Sequence, residues 1–486
     1  MTNISRPATA ARPVIGTALN AWAPILFLVF VFLAGGASRS DVSSLPVLRG
    51  GAILFGCWAI AGMTRDDWRR VRIPLALLLA LTGWMALQLV PLPPALWHGL
   101  PGRELIVAID NGLGQADLWR PVSMTPSATW NSLLAMSVPL AAVLLATRLQ
   151  EDGATKVMQA LVALAVVSAS LGIVQIVSGN GSAAYLYRIT NASSMVGLFA
   201  NRNHHSLFQA CAIVLAAALL RDEFMRRQRR ASLQLGYAAA AILSLAMTAL
   251  IGSRAGMVAG GIAFAFGYAM LVPAWRARPP HHTRAGRASS PPQQKFGARQ
   301  WFDYAPAVLV GCILVAVLLL TNRSTGLSRI AENRVAEDLR LLAWPGVQQI
   351  IESYWTVGAG FGAFPNIYQI VEADSLLQPA YFNHAHNDWV EVLITGGAPF
   401  ALIVLAGLIW LFRSVWQLGF RRLIKGHRGD LRLPILLVVA LFGGVSLVDY
   451  PLRVPSLQVM AVFLVILLAS ASGGAGSTGN KLAGES

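Results

Sequence analysis

Runs of roughly twenty apolar residues recur along nearly the whole chain, and each is long enough to cross a bilayer as one helix. They begin near Ala21, Leu48, Ile73, Ala128, Val157, His205, Leu233, Gly256, Ala305, Ala398, Leu433 and Val454. In hydrocarbon every backbone N–H and C=O needs an internal partner, so a chain built this way is confined to helices or to a closed barrel. Segments of this length and continuity specify helices. The fold class expected is therefore an all-α polytopic membrane protein with about twelve transmembrane helices. Composition agrees: 55% of residues are hydrophobic and 12% charged, where a soluble domain carries about a quarter charged. The mean hydropathy is +0.57.

The formal net charge of +16 would point to nucleic acid in a soluble protein. Here there is no basic domain with a reading element, so nucleic acid is excluded as a partner. The basic residues lie in short loops between apolar runs, where they set topology and meet anionic lipid head groups. Cys57, Cys211 and Cys312 fall in separate apolar runs with no metal-ligand spacing and no evident partner. Arg6 and Arg12, the apolar run Pro24–Ala34 and the small residues Gly35, Gly36 and Ala37 resemble a signal peptide. In a multispan chain this segment is expected to be an uncleaved first helix.

Charge also orients the bundle. One set of loops holds Arg65–Arg72, Arg148–Lys156, Arg221–Arg230, Arg276–Arg299 and Arg413–Arg432; with the termini it collects about 26 of the 38 Lys and Arg, which makes that side cytoplasmic. The stretch Pro279–Gln294 is expected to be a flexible cytoplasmic loop, and Ser472–Ser486 a disordered tail. The opposite side carries three long loops, Pro91–Pro126, Ser178–His204 and Thr321–Gly397. The last far exceeds an ordinary connection. Within it the spacing of Ile330, Val335, Leu339 and Leu342 predicts an amphipathic helix over Leu327–Ser353, broken at Pro345 and lying on the membrane surface or capping the bundle. A close hairpin is expected around Gly252–Gly256. The domain organisation expected is helices one to nine over 1–320, the large outer loop over 321–397, helices ten to twelve over 398–471, and the tail.

Candidate chemistry gathers on the outer side. Asn383-His384-Ala385-His386-Asn387-Asp388-Trp389-Val390-Glu391 ends the large loop and enters the tenth run. It admits three readings: a metal site, a helix start with Asn387 or Asp388 as N-cap and Glu391 closing a capping box, or a general base. A neutral imidazole can take a proton from an attacking hydroxyl, whereas neither cysteines nor a further spaced histidine supports a metal. Arg202, Arg254, Arg340 and Arg453 lie on the same side or at its edge. A single arginine there is usually an interfacial snorkeler, but several together suit a phosphate or diphosphate, which the guanidinium fork binds bidentately. The run Val357-Gly358-Ala359-Gly360-Phe361-Gly362-Ala363-Phe364 has no preceding parallel strand and faces no nucleotide pool. It reads as a tight turn toward the bilayer rather than a nucleotide loop.

Taken together these residues resemble the O-antigen ligase and Wzy-type O-antigen polymerase superfamily of bacterial surface polysaccharide synthesis. The stretch His384–Glu391 with its closing glycine pair carries the resemblance. It is joined by Gly197-Leu198-Phe199-Ala200-Asn201-Arg202-Asn203, by Ser253-Arg254, by Arg340 and Trp344 followed by the Gly358–Phe364 run, and by Leu89–Trp97, which is similar to a segment of exopolysaccharide members. The related domain is expected over about 190–410. The resemblance implies a class C glycosyltransferase-like fold with its active site on the periplasmic face of the inner membrane, while the charge distribution above makes both termini cytoplasmic. It implies no cofactor and no metal. The donor is a glycan on undecaprenyl diphosphate, and the acceptor is a sugar hydroxyl of lipid A core or of another lipid-linked glycan. His386 matches the proposed base, with His384 beside it, and Arg254 and Arg340 match the diphosphate-binding arginines. Arg202 and Arg453 are further diphosphate candidates, and Asn201, Asn203, Asn387 and Glu391 are supporting residues. The competing class, a secondary transporter or lipid-linked sugar flippase, would place ionisable residues at mid-bilayer, often with internal repeats; a scaffold would leave the histidines and arginines unexplained.

Overall fold

The computed structural model describes residues 14–150, 152–226, 228, 230–276, 327–377, 382–418 and 430–470, with side chains omitted at 14–19, 275–276, 327–340, 418 and 470. The ninth expected span near Ala305, Cys312, the Pro279–Gln294 loop, the tail and the side chain of Arg340 lie outside the described residues.

The described residues are mostly helical. In order the helices are α1 (Val14–Ala34), α2 (Leu45–Ala61), α3 (Arg65–Leu87), the short α4 (Pro94–Trp97) and α5 (Glu104–Gly112), α6 (Pro126–Ala135), α7 (Ser137–Ala146), α8 (Gly153–Ser178), α9 (Arg202–Phe224), α10 (Ala231–Leu250) and α11 (Arg254–Arg276). They continue as α12 (Leu327–Tyr354), α13 (Phe364–Val371), α14 (Asp388–Leu418), α15 (Arg432–Val445) and α16 (Pro455–Ser470). A two-residue antiparallel pair, β1 (Pro91–Leu92) with β2 (Arg120–Pro121), closes the loop between α3 and α6.

Among the described residues six helices are long and apolar enough to cross a membrane: Arg65–Leu87, Pro126–Ala146, Gly153–Ser178, Ala231–Leu250, Arg254–Ala274 and Asp388–Gln417. Asn20–Ala34, Leu45–Ala61, Arg432–Val445 and Pro455–Ala469 are shorter apolar helices. The protein is thus an all-helical, multi-pass membrane protein. The 14 residues of α15 rise only about 21 Å, short of the roughly 30 Å hydrocarbon core. The residues that would have extended it, Ser446–Val454, instead turn inward as a loop and a 3₁₀ turn over Pro451–Arg453.

Local chemistry accounts for the helix starts. Thr64 and Asp67 form a reciprocal capping box at α3, with Thr64 Oγ1 accepting from the Asp67 N–H and the carboxylate of Asp67 accepting from the Thr64 N–H. Asn201 caps α9 by accepting from the Asn203 N–H at 2.9 Å. Helix α9 is apolar on every side rather than along one stripe, and it is accordingly the central helix, buried without interruption from His204 to Arg221. Small residues let its neighbours approach: a Cβ on Gly256 would collide with Ser206, and one on Gly267 would press on Ala217 at 3.0 Å. The expected hairpin is present, with Gly252 at φ +73° between α10 and α11. Cys57 and Cys211 are free thiols, exposed and buried respectively.

Two expectations are corrected. Helix α12 runs through Pro345 without a break. The capping box suggested for the histidine stretch is not formed either. Asn387 alone caps α14, its Oδ1 accepting from the Val390 N–H at 3.1 Å, while Glu391 reaches further back to His384 and Ala385.

A bend in α14 positions the site. Gly397 leaves helical geometry at φ 63°, ψ −162°, which frees the carbonyls before it. They are recovered from outside the helix: Trp84 Nε1 donates to Gly396 O at 2.7 Å, Gln88 Nε2 to Thr395 O at 3.1 Å, and the N–H groups of Ala359 and Gly360 to Ile394 O and Thr395 O at 2.9 and 3.0 Å. The glycine run is the tight turn expected, with Gly358, Gly360 and Gly362 all at positive φ. It clamps the nine-residue first segment of α14, which carries the histidine motif, against the end of α3.

Candidate active site

The sequence motif and the Asp449–Arg453 turn meet at the start of α14. His384 Nδ1 lies 3.0 Å from Glu391 Oε1, and the Ala385 N–H donates to Glu391 Oε2 at 3.2 Å. The Arg453 guanidinium stands behind the pair, its Nη2 3.6 Å from Glu391 Oε1 and its Nε 3.4 Å from Asp388 Oδ1. Asp388 also accepts from Ser446 Oγ at 3.1 Å and from the Leu452 N–H at 3.2 Å. Two carboxylates are buried here, Glu391 at 1% and Asp388 at 6% exposure, and buried charges persist only when paired and hydrogen-bonded. One arginine and a short polar loop supply that pairing. Burial alone would lower the Arg453 guanidinium, but the carboxylates of Glu391 and Asp388 outweigh it and hold it above its ordinary value.

Glu391, paired with Arg453, accepts from His384 Nδ1, which in the neutral imidazole leaves the lone pair on Nε2. His386 lies on the other side of a tyrosine. Its Nδ1 is 3.7 Å from Asp449 Oδ1, and its backbone is left-handed at φ 50°. A non-glycine residue is rarely found there, and such strain collects at functional sites.

Tyr450 is the hub of the cluster. Its ring packs against His384 at 4.3 Å, His386 at 5.0 Å and His204 at 5.1 Å between centroids. Its hydroxyl accepts from Asn201 Nδ2 at 3.3 Å, which ties the cap of α9 to the histidine loop. His204 is 2% exposed, and neither ring nitrogen has a hydrogen-bond partner among the described residues. The adjacent His205 is by contrast held on both sides, by Met195 O at 2.8 Å and by Gln209 Nε2 at 3.0 Å, and reads as structural.

Of the residues singled out in the sequence, the structure brings together His384, His386, Asn387, Glu391, Arg453 and Asn201. Arg254 opens α11 at the same end of the bundle, where Gly256 packs on Ser206 of α9, one turn from the site. Arg202 and Asn203 form the first turn of α9, the Arg202 N–H donating to Asn191 Oδ1 at 3.0 Å. Arg340 is on α12, its side chain outside the described residues. Sequence reasoning missed Tyr450, Asp449 and His204 as members of the cluster, and gave Asp388 only as a possible helix cap. Asp449 and Tyr450 were visible only as neighbours of Arg453. Among the described residues no three His, Cys, Asp or Glu side chains are grouped as a metal site.

A cavity of about 620 Å³ opens from this cluster. His384, Asp388, Glu391, Arg453, Arg39 and Arg49 make its polar wall. From there it continues between α3, α14 and α16 along Leu77, Leu81, Val404, Leu408, Leu411 and Ile466. The chamber therefore joins a charged, hydrogen-bonding head, with Asp41, Asp388 and Glu391 beside Arg39, Arg49 and Arg453, to an apolar slot between helices, the shape of an amphiphile.

Residues 239–406 match the family model described as O-antigen ligase, in line with the resemblance carried by the histidine stretch. The matched segment contains Arg254, Arg340 and the histidine stretch through Glu391; Asn201–His205 and Asp449–Arg453 lie outside it. No curated protein matches the chain.

Proposed function

We propose that this membrane glycan-transferring protein moves a glycan from undecaprenyl diphosphate to a sugar hydroxyl at the periplasmic face of the bacterial inner membrane, as an O-antigen ligase or as an exopolysaccharide or O-antigen polymerase. The observation that carries the reading is the continuity of the His384–Glu391–Arg453 cluster with a cavity whose far wall is apolar. A donor with a polyprenyl tail, a diphosphate and a sugar presents those chemistries in that order.

The reaction asks little of the protein beyond placement, a base and positive charge, because a diphosphate is already a good leaving group. An imidazole takes the proton of the acceptor hydroxyl. The oxygen attacks the anomeric carbon, the bond from that carbon to the phosphate oxygen breaks, and undecaprenyl diphosphate departs with the electron pair. Direct displacement inverts the anomeric centre. His386 is the base by family resemblance, while His384 lines the cavity with its Nε2 lone pair set by Glu391. The diphosphate is assigned to arginines, with Arg453 in the cavity wall and Arg254, Arg202 and Arg340 as the others. Asn201, Asn203 and Asn387 hold the backbone that presents them.

The deciding experiment is a profile of lipid-linked glycans in four strains: wild type, a deletion, and His386→Ala and His384→Ala at normal protein level. Loss of surface polysaccharide with accumulation of polyprenyl-linked sugars in the deletion and in at least one histidine variant supports the assignment. Single repeat units then indicate a polymerase and long chains a ligase. Two histidine variants indistinguishable from wild type, against a defective deletion, would favour transport of the lipid-linked sugar instead.

A further inference from the structure

The loop between α3 and α6 is built inside out for a water-facing segment. Helix α5 turns one of its two acidic residues inward, Glu104 in its first turn being exposed: Asp110 is 2% exposed and receives two bonds of 2.6 Å from the Arg120 guanidinium. Its apolar residues turn outward. Leu105, Ile109 and Leu113, spaced at i, i+4 and i+8, are 53%, 47% and 66% exposed, which is one stripe of the helix. Trp119, just before β2, is 63% exposed.

We propose that α5 is an in-plane membrane anchor, its Leu105–Ile109–Leu113 stripe seated in the lipid of the leaflet that faces this end of the bundle. Lipid is the occupant because the loop that carries the stripe is tethered at both ends to candidate membrane spans. The loop leaves one candidate span at Leu87 and enters the next at Pro126. Exposed apolar side chains recur on either side of α5 in the chain, at Leu87, Val90 and Leu96 before it and at Trp130 on α6 after it. An outward tryptophan beside such a stripe is what the interfacial zone selects.

The anchor has a consequence for the site. Arg103, which begins α5, is fully buried and donates to Pro101 O, Val122 O and Gly358 O at 2.9, 2.6 and 3.1 Å, and burial lowers its guanidinium to about 10. Tyr354 at the end of α12 donates to Gly102 O at 2.8 Å. The same Gly358 turn clamps α14 just after Glu391, so α5 sets the height of the histidine cluster relative to the lipid head groups. This inference rests on the membrane spans and not on the reaction assigned to the site.

The test uses the full chain in lipid nanodiscs, with Cys57 and Cys312 replaced by serine. An environment-sensitive fluorophore is placed at Ile109→Cys and, as a water-facing control, at Asn180→Cys in the α8–α9 loop. Quenching by nitroxide-labelled lipid is compared with quenching by iodide. The expected result is a blue-shifted probe at 109, quenched by lipid nitroxide and shielded from iodide, with the reverse at 180. Iodide quenching at 109 equal to that at 180 overturns the anchor. Shielding from both quenchers also overturns it, because the stripe is then covered by protein.

Discussion

His384 and Glu391 stand 3.0 Å apart across the start of α14, with the Arg453 guanidinium 3.6 Å behind the carboxylate. This is an imidazole and an orienting carboxylate held in position by a buried cation. The carboxylate fixes which imidazole nitrogen carries the proton, and the arginine keeps the carboxylate ionised where it is buried.

Replacing Glu391 by glutamine keeps the shape and removes the charge. The amide can present its NH₂ to His384, so the tautomer is no longer fixed, and Arg453 loses one of its two carboxylates. Glycan transfer is expected to fall by about 10²–10⁴-fold, the range associated with general-base assistance, while the purified variant stays folded. Transfer at wild-type rate by purified Glu391→Gln would remove the pair from the mechanism.

Tyr450 separates packing from hydrogen bonding. Tyr450→Phe keeps the ring on which three histidines rest and loses the bond from Asn201, a cost of about 0.5–1.5 kcal/mol. Tyr450→Leu removes the ring face itself, which is 5% exposed, and is expected to cost more stability and most of the activity. Thermal unfolding in detergent and a transfer assay on both variants check the order. Equal behaviour of the two would mean that the ring does not hold the imidazoles.

His204 makes a prediction of the opposite sign in stability. A buried polar group with no partner costs about 1–3 kcal/mol, so His204→Phe, which keeps an aromatic edge on Tyr450, is expected to melt at the same temperature or higher. Activity is expected to fall, since a group kept at a stability cost next to a reactive cluster is characteristic of function rather than packing. A stabilised variant with full activity would assign His204 to the core.

Gly358 tests the clamp on α14. It sits at φ +78°, and a Cβ there would collide with the carbonyl of Thr395. Left-handed backbone alone costs an L-residue about 1–2 kcal/mol. Gly358→Ala is expected to lower the melting temperature and to impair transfer together, because the turn and the Glu391 segment share hydrogen bonds. Gly114, also at positive φ but with open space around its Cβ position, is the control. Gly114→Ala should show the backbone cost alone and leave transfer unchanged.

Much of this was legible in the sequence because hydrophobic runs and glycine placement act locally. The predominance of apolar helices, the turn at Gly252, the glycine run and the histidine stretch each follow from spacing within a few residues. What was not legible depends on contacts across the chain. Tyr450 touches His204 from 246 positions away and His384 from 66, and no local signal marks an aromatic ring as a shared platform. The continuity of α12 through Pro345 has the same character, since local proline chemistry predicts a break and the packing of Ala343, Val347 and Ile350 into the core beneath Tyr368 and Phe364 favours a continuous helix. The role of Glu391 was misjudged for a related reason. Its position relative to Asp388 fits a capping box, but a buried guanidinium and imidazole outcompete a backbone N–H for a carboxylate.

The last prediction concerns pH and the α5 loop. The two bonds from Arg120 hold the Asp110 carboxyl below its ordinary value. A carboxyl lowered in the folded state contributes stability that is fully present above its unfolded value and is lost as pH falls through the folded one. The contribution is therefore intact at neutral pH and disappears only in acid, below the ordinary carboxylate range. Protonation leaves a neutral carboxyl facing Arg120, so the tie between α5 and β2 is expected to loosen there while the apolar packing of the spans persists. Limited proteolysis of the intact protein across that range should show cleavage within residues 104–120 appearing on the acid side. Asp110→Asn should show the same cleavage at every pH, because its amide cannot form the ion pair. Equal acid sensitivity in wild type and Asp110→Asn would place the titrating group elsewhere.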